Sequence, residues 1–273
     1  WNDALDPEEL RLQVREFAEK GFGGYFMHSR VGLSTAYLSK EWMKCVRTCL
    51  EEGKKVNTEP WLYDEDKWLS GFAGGIVPAK GDKYRSKHIQ VKKVEAEKAV
   101  EALNKPSLLG IFRLELASPK TVKRFKRVNT PEEVENNGQL LLFEVKLAVK
   151  RNWHNGESYV DLLNPETTEE FLKVTHDAYA KEFQSDFGEF MPGIFTDEPN
   201  YARGNVIPWT DDLPNYFRKL NGYDILEKLP LLYFDGEGSR KVRYDFWKTV
   251  TQRFIEAFTI PYAQRCDRYG LQM

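Results

Sequence analysis

A chain of 273 residues with 41% hydrophobic and 30% charged side chains can bury a sizeable core, which excludes long-range disorder. Forty Lys plus Arg against 42 Asp plus Glu leave a net charge of −2, so global charge gives no case for nucleic acid or an anionic membrane. No apolar run reaches the roughly 18 residues that a bilayer span needs.

The first 75 residues alternate between helix and strand patterns. Asp6-Pro7-Glu8-Glu9 is a helix start, with Asp as cap, Pro at the first helical position and acids in the first turn. Leu10, Val14 and Phe17 follow at helical spacing, and Gly21 ends the run. Gly23 to Met27 reads as a short buried strand. Ser39 caps a second helix that carries Trp42, Cys45, Val46, Cys49 and Leu50 on one side and is predicted to stop at Gly53. Lys55 to Tyr63 is the next strand, and it ends in Asp64-Glu65-Asp66. This order predicts a parallel sheet.

The rhythm breaks near Gly74-Gly75. Ile89-Gln90-Val91, Ile111 to Leu116 and Leu140 to Val149 alternate with period two, the pattern of antiparallel strands. Between Lys80 and His154 there are 17 Lys plus Arg against 9 Asp plus Glu, so residues 76–157 read as a basic β insert. A solvated sheet face accounts for that charge more simply than a dedicated anion-binding module. The α/β pattern resumes over 158–273. Tyr159 to Leu163 reads as a strand, Asn164-Pro165-Glu166 as a helix start, and Gly193 to Thr196 as a strand ending in Asp197-Glu198-Pro199. A long helix follows, with Val242, Phe246, Val250, Phe254 and Phe258 at helical spacing. The expected architecture is an α/β chain: a (β/α)₈ barrel, incomplete on its C-terminal side, interrupted by the antiparallel insert. The opening Trp1-Asn2-Asp3, without an initiator Met, and the strand-like ending Tyr269 to Met273 lead us to expect a piece of a larger protein with further C-terminal domains. The compartment is left open.

In such a fold, reactive groups gather at the carboxyl ends of the strands. Reading those ends picks out Asn2, His28 and Arg30, Asp64 and Glu65 with Trp68, and Asp197, Glu198 and Tyr201. Glu198 is the sharpest candidate. Pro199 stiffens its exit, and apolar and carboxylate neighbours would hold its proton near neutral pH, as general-acid catalysis needs. The competing role is an ion pair with a loop arginine such as Arg203. Adjacent residues on an extended chain point to opposite sides, so at most two of Asp64, Glu65 and Asp66 can serve one pocket. Trp68 is the candidate stacking platform, and His28 and Arg30 could offer a donor and a fixed charge. No metal ligand is assigned, and calcium cannot be assembled from six to eight oxygens in this sequence. No cofactor is expected. Gly71 to Gly75 lacks the Lys-Ser/Thr of a phosphate loop, zinc spacing is missing, and there is no Gly-x-Ser-x-Gly elbow. His176 lies in a periodic helix and reads as structural.

The runs Gly21 to Tyr25, Tyr37 to Trp42, Trp61 to Gly71 and Thr196-Asp197-Glu198-Pro199 together resemble bacterial glycoside hydrolases. The similarity is to large glycosidases like the α-L-rhamnosidases of family 106. The resemblance implies a catalytic (β/α)₈ barrel, a carbohydrate substrate and hydrolysis of a glycosidic bond by paired carboxylates. Glu198 would be one carboxylate, and the second would come from a later strand. Leu69 departs from the family's Trp-Pro-Ser-Gly turn, so that loop need not be held the same way. A carbohydrate-binding protein on a degenerate barrel and a metal-dependent barrel hydrolase stand as the alternatives.

Overall fold

The computed structural model describes residues 1–134, 139–201, 204 and 206–273. Their strands, in chain order, are β1 (Gly24–Met27), β2 (Glu59–Tyr63), β3 (Lys87–Val94), β4 (Leu108–Ser118), β5 (Thr121–Val128), β6 (Gln139–Leu147), β7 (Ile194–Phe195) and β8 (Ile207–Trp209). Two compact units divide the chain. Trp1–Arg85, Val149–Tyr201 and Glu256–Met273 form the first, and Ser86–Ala148 with Ala202–Ile255 form the second.

The first unit is α/β. Asp6 caps the Pro7–Glu19 helix by accepting from the Glu8 and Glu9 amides, and Leu10 and Val14 are buried. Ser39 accepts from the Trp42 amide at the start of the Lys40–Val56 helix, whose Trp42, Cys45, Val46, Cys49 and Leu50 are buried. That helix runs past Gly53 and ends where Asn57 takes a left-handed conformation. Strands β1, β2 and β7 form a parallel sheet in the order β1-β2-β7. Gly24 lets β1 approach β2, since a Cβ there would lie 2.7 Å from the Glu59 carbonyl oxygen.

The (β/α)₈ barrel, incomplete on its C-terminal side, that the sequence leads us to expect is not what forms. Among the described residues the parallel sheet has three strands, and the other sheet is antiparallel with five. Tyr159 to Leu163 shows why an apolar run misled. It has the length of a strand but contributes one bridge, between Val160 and Arg85. Asp161 accepts from the Leu163 amide at 3.1 Å and turns the backbone, while the Tyr159 hydroxyl donates to the Ser70 carbonyl at 2.7 Å. Val160 and Leu162 instead pack under Gly71, where φ is +128° and a Cβ would crowd both side chains. Burial without pleated pairing carries the same sequence signal as a buried strand.

In the second unit the strands run in the order β5-β4-β6-β3-β8. β8 pairs antiparallel with β3 through Lys87 to Trp209 and Ile89 to Ile207. Ile111, Val128, Leu140 and Leu142 pack with Ala99 and Ala102 of the Ala96–Ala102 helix to form its core. Much of the positive charge is paired on the surface, as in Lys92–Glu144, Lys123–Glu115 and Lys126–Glu133. Such pairs add little stability but neutralise the face. Among the described residues no helix is long and apolar enough to cross a membrane.

Candidate active site

The segments that leave the carboxyl ends of β1, β2 and β7 meet at a cleft of about 710 Å³ in the first unit. Six of the residues picked out from the sequence line it: Asn2, His28, Arg30, Trp68, Asp197 and Glu198. Val31, Lys67 and Trp153 complete the lining. None of these three is among the strand-end candidates of the sequence. Trp153 sits in a polar turn inside the basic stretch, where an unpaired aromatic was the only available cue.

Asp197 is fixed at three points. Its backbone N–H donates to Ser70 Oγ at 2.8 Å, its carbonyl accepts from the Ser70 N–H at 2.8 Å, and the Tyr63 hydroxyl donates to Oδ2 at 3.0 Å. Burial, reinforced by Asp197 itself, pushes the Tyr63 hydroxyl far above its ordinary value, so it stays protonated and donates. Glu198 follows with φ +46°, an unfavourable conformation for a residue with a Cβ. Its Oε2 accepts from Trp68 Nε1 at 2.9 Å. The apolar surround expected for this carboxyl is not found, since Glu198 is solvent-exposed. Its suggested partner Arg203 lies outside the described residues.

Trp68 and Trp153 meet edge to face, with ring centroids 6.1 Å apart and planes at 82°. Trp153 Nε1 donates to the Trp68 carbonyl at 2.6 Å, which fixes the backbone behind the first indole. The Trp68–Leu69 peptide bond is cis, and Leu69 is buried. Two indoles at right angles offer one flat face and one edge to a ring-shaped ligand.

Asp64 and Glu65 do not reach the cleft. Both are fully buried beneath it. The two oxygens of Glu65 accept four backbone N–H bonds, from Asp66 at 2.8 Å, Gly71 at 3.1 Å, Ala73 at 2.7 Å and Gly74 at 2.6 Å. This carboxyl therefore shapes the loop that carries Trp68 and Ser70. Burial pushes it well above the usual carboxylate range, against the pull of its N–H donors. Asp64 accepts from Ser70 Oγ and from the Tyr262 hydroxyl, and burial raises it to about 7. Tyr201 is half-buried and is not part of the lining.

Arg30 and Lys67 bring positive charge to the same lining. His28 lies over Tyr63 with ring centroids 3.7 Å apart. Burial, with the charge of Arg30 beside it, lowers its pKa to about 4, so its imidazole is neutral near pH 7. Lys67 donates to Asn155 Oδ1 at 2.8 Å and lies 3.5 Å from Asp66 Oδ2. Among the described residues no group of three or more His, Cys, Asp or Glu side chains is placed to hold a metal ion.

Compared with solved structures, the chain is similar to a rhamnosidase from Novosphingobium sp. PP1Y. The TM-score is 0.62 at 11% sequence identity, and the match covers 100% of this chain and 45% of the other. The likeness is therefore one of fold, and the chain spans less than half the length of that enzyme. No protein-family model matches the sequence, and no curated protein matches it either.

Proposed function

We propose that the cleft binds a carbohydrate and that Glu198 protonates the leaving oxygen of a glycosidic bond. The observation that carries this reading is the pairing of Glu198 with Trp68, which places a carboxyl group and a flat aromatic face in one cleft. The fold likeness to a rhamnosidase supports the same class of chemistry. Asp197, held by Ser70 and Tyr63, would accept hydrogen bonds from sugar hydroxyls, and Asn2 and His28 would contact the same ring. Glycoside hydrolysis uses two carboxylates on either side of the bond, and the distance between them decides retention or inversion. Asp197 is the immediate neighbour of Glu198 on the same loop, so the second carboxylate is proposed to lie outside this cleft's own lining.

The test is turnover of a panel of natural and aryl glycosides by the intact natural protein, with Glu198→Gln beside it. Loss of a general acid lowers turnover about 10²- to 10⁴-fold. That loss should be larger on natural glycosides than on aryl glycosides, whose leaving groups need less protonation. Unchanged turnover of natural glycosides by Glu198→Gln would overturn the assignment. The exposure of Glu198 favours a second reading, sugar binding without hydrolysis, which measurable affinity with no turnover would establish.

A further inference from the structure

Most charges around the cleft are met from within the protein. Asp197 accepts from Tyr63, Glu198 accepts from Trp68, and Lys67 is held by Asn155 and Asp66. Arg30 differs. Among the described residues its guanidinium has no ion pair and no side-chain hydrogen bond, although its backbone is tied on both sides. The Arg30 N–H donates to the Trp1 carbonyl at 2.8 Å, and its carbonyl accepts from the Leu33 N–H at 3.2 Å. Ser29 next to it is fully buried and donates to Asp66 Oδ1 at 3.2 Å. The side chain is thus free at its tip and rooted at its base.

An unpaired arginine on a convex surface needs no explanation, but this one stands on a wall shared by two hollows. Besides the main cleft, Arg30 and Lys67 both line a second hollow of about 280 Å³, which Asp66, Asn155, Thr35 and Gly74 also border. A ligand lying across the two hollows would pass directly by the guanidinium. A guanidinium presents a planar fork of donors that matches a carboxylate or sulfate in bidentate fashion. The same cleft carries Asp197 and Glu198, which would repel an anionic ligand unless its charge were met by Arg30.

We propose that Arg30 reads an anionic oxygen group, a uronate carboxylate or a sulfate ester, on the sugar that occupies the cleft. Lys67 adds positive charge from the same wall. The inference rests on the carbohydrate reading above and narrows it to acidic sugars. It also gives the sugar an orientation, with its anionic group toward Arg30 and its glycosidic oxygen toward Glu198.

The experiment is a binding titration on the intact protein carrying Glu198→Gln, so that no ligand is consumed. The probes are methyl glucuronides and galacturonides, the matching methyl glucosides and galactosides, and 6-O-sulfated galactosides. At low ionic strength the charged probes are expected to bind about tenfold tighter than the neutral ones, the order of one charge-assisted hydrogen bond. Adding Arg30→Gln should erase that preference, so that charged and neutral probes bind alike, with an unchanged circular dichroism spectrum. The uronide and sulfate arms tell which anionic group is read. Equal affinity for neutral and charged probes overturns the inference and leaves the carbohydrate reading standing. A preference that survives Arg30→Gln also overturns it. Failure of every probe, neutral and charged, to bind a folded protein overturns both.

Discussion

Ser70 holds Asp197 from both directions. Its N–H donates to the Asp197 carbonyl and its hydroxyl oxygen accepts from the Asp197 N–H, each at 2.8 Å. The hydroxyl proton goes to Asp64, an acid that never sees the cleft. One small side chain therefore links the buried acid below the site to the acid within it.

Ser70→Ala removes all the hydroxyl's bonds at once and leaves the Asp197 N–H and one oxygen of buried Asp64 without partners. A cost of about 2 to 3 kcal/mol is expected, since stranded buried polar groups lose their full desolvation energy. Urea unfolding reads it as a lower midpoint with an unchanged slope. A midpoint equal to wild type would mean that Ser70 is not the link described.

Trp68→Phe keeps an aromatic face and deletes the N–H that Glu198 accepts. Turnover of a natural glycoside is expected to fall about tenfold, in proportion to one lost hydrogen bond, with KM within a few-fold of wild type. Trp68→Ala should raise KM as well, because it also removes the stacking face. If Trp68→Phe raised KM alone, the indole N–H would be a substrate contact and not a support for Glu198.

Glu65→Gln tests the buried loop anchor. A glutamine places N–H₂ where two of the four backbone donors now point, so donors face donors. A loss of about 3 kcal/mol is expected. Faster amide exchange should be confined to Gly71, Ala73 and Gly74 and their neighbours, and uniform exchange across the unit would contradict a local role.

Acid stability should carry the mark of His176. This histidine is fully buried, and burial, then the charge of Arg265, depresses its pKa from 6.5 to about 3. Its Thr175 neighbour lies 2.9 Å from Nδ1, while among the described residues Nε2 has no hydrogen-bond partner. The unfolded chain takes up a proton that the folded chain refuses. Stability is therefore full above pH 6.5 and falls as the pH drops toward 3, by up to about 1.4 kcal/mol per pH unit. Asp64 acts in the opposite sense. Its folded pKa of about 7 exceeds the unfolded 3.8, so its contribution is present below 3.8 and is lost as the pH rises through 7. Unfolding free energies measured across pH for His176→Gln and Asp64→Asn should flatten the acid limb and the neutral limb respectively. Parallel curves for wild type and both variants would refute the assignment.

The sequence made the capped helices legible, because Asp6 and Ser39 announce them by chemistry that acts within one turn. The alternating runs likewise become antiparallel strands, since a period of two is local. The number of parallel strands was not legible. Tyr159 to Leu163 has a strand's hydrophobicity, but Asp161 and the tie from Tyr159 to Ser70 turn it into packing. Residues 207–209 pair with β3, more than a hundred positions earlier, and no local pattern reports that. The strand-end rule picks out Glu198, Asp197 and Arg30, which line one cleft. It also picks out Asp64 and Glu65, which are buried and outside that lining, because spacing cannot tell an acid that faces a cleft from one that collects hydrogen bonds in the interior.

The left-handed backbone at Glu198, just ahead of Pro199, has a consequence for the thermal stability of variants. A side chain at that φ is held against its own preference, at a cost of about 1 kcal/mol that glycine would not bear. Glu198→Gly should therefore melt a few degrees higher than wild type, even as it removes the proposed acid. A position that weakens the protein while it keeps its carboxylate is one where function and stability pull in opposite directions.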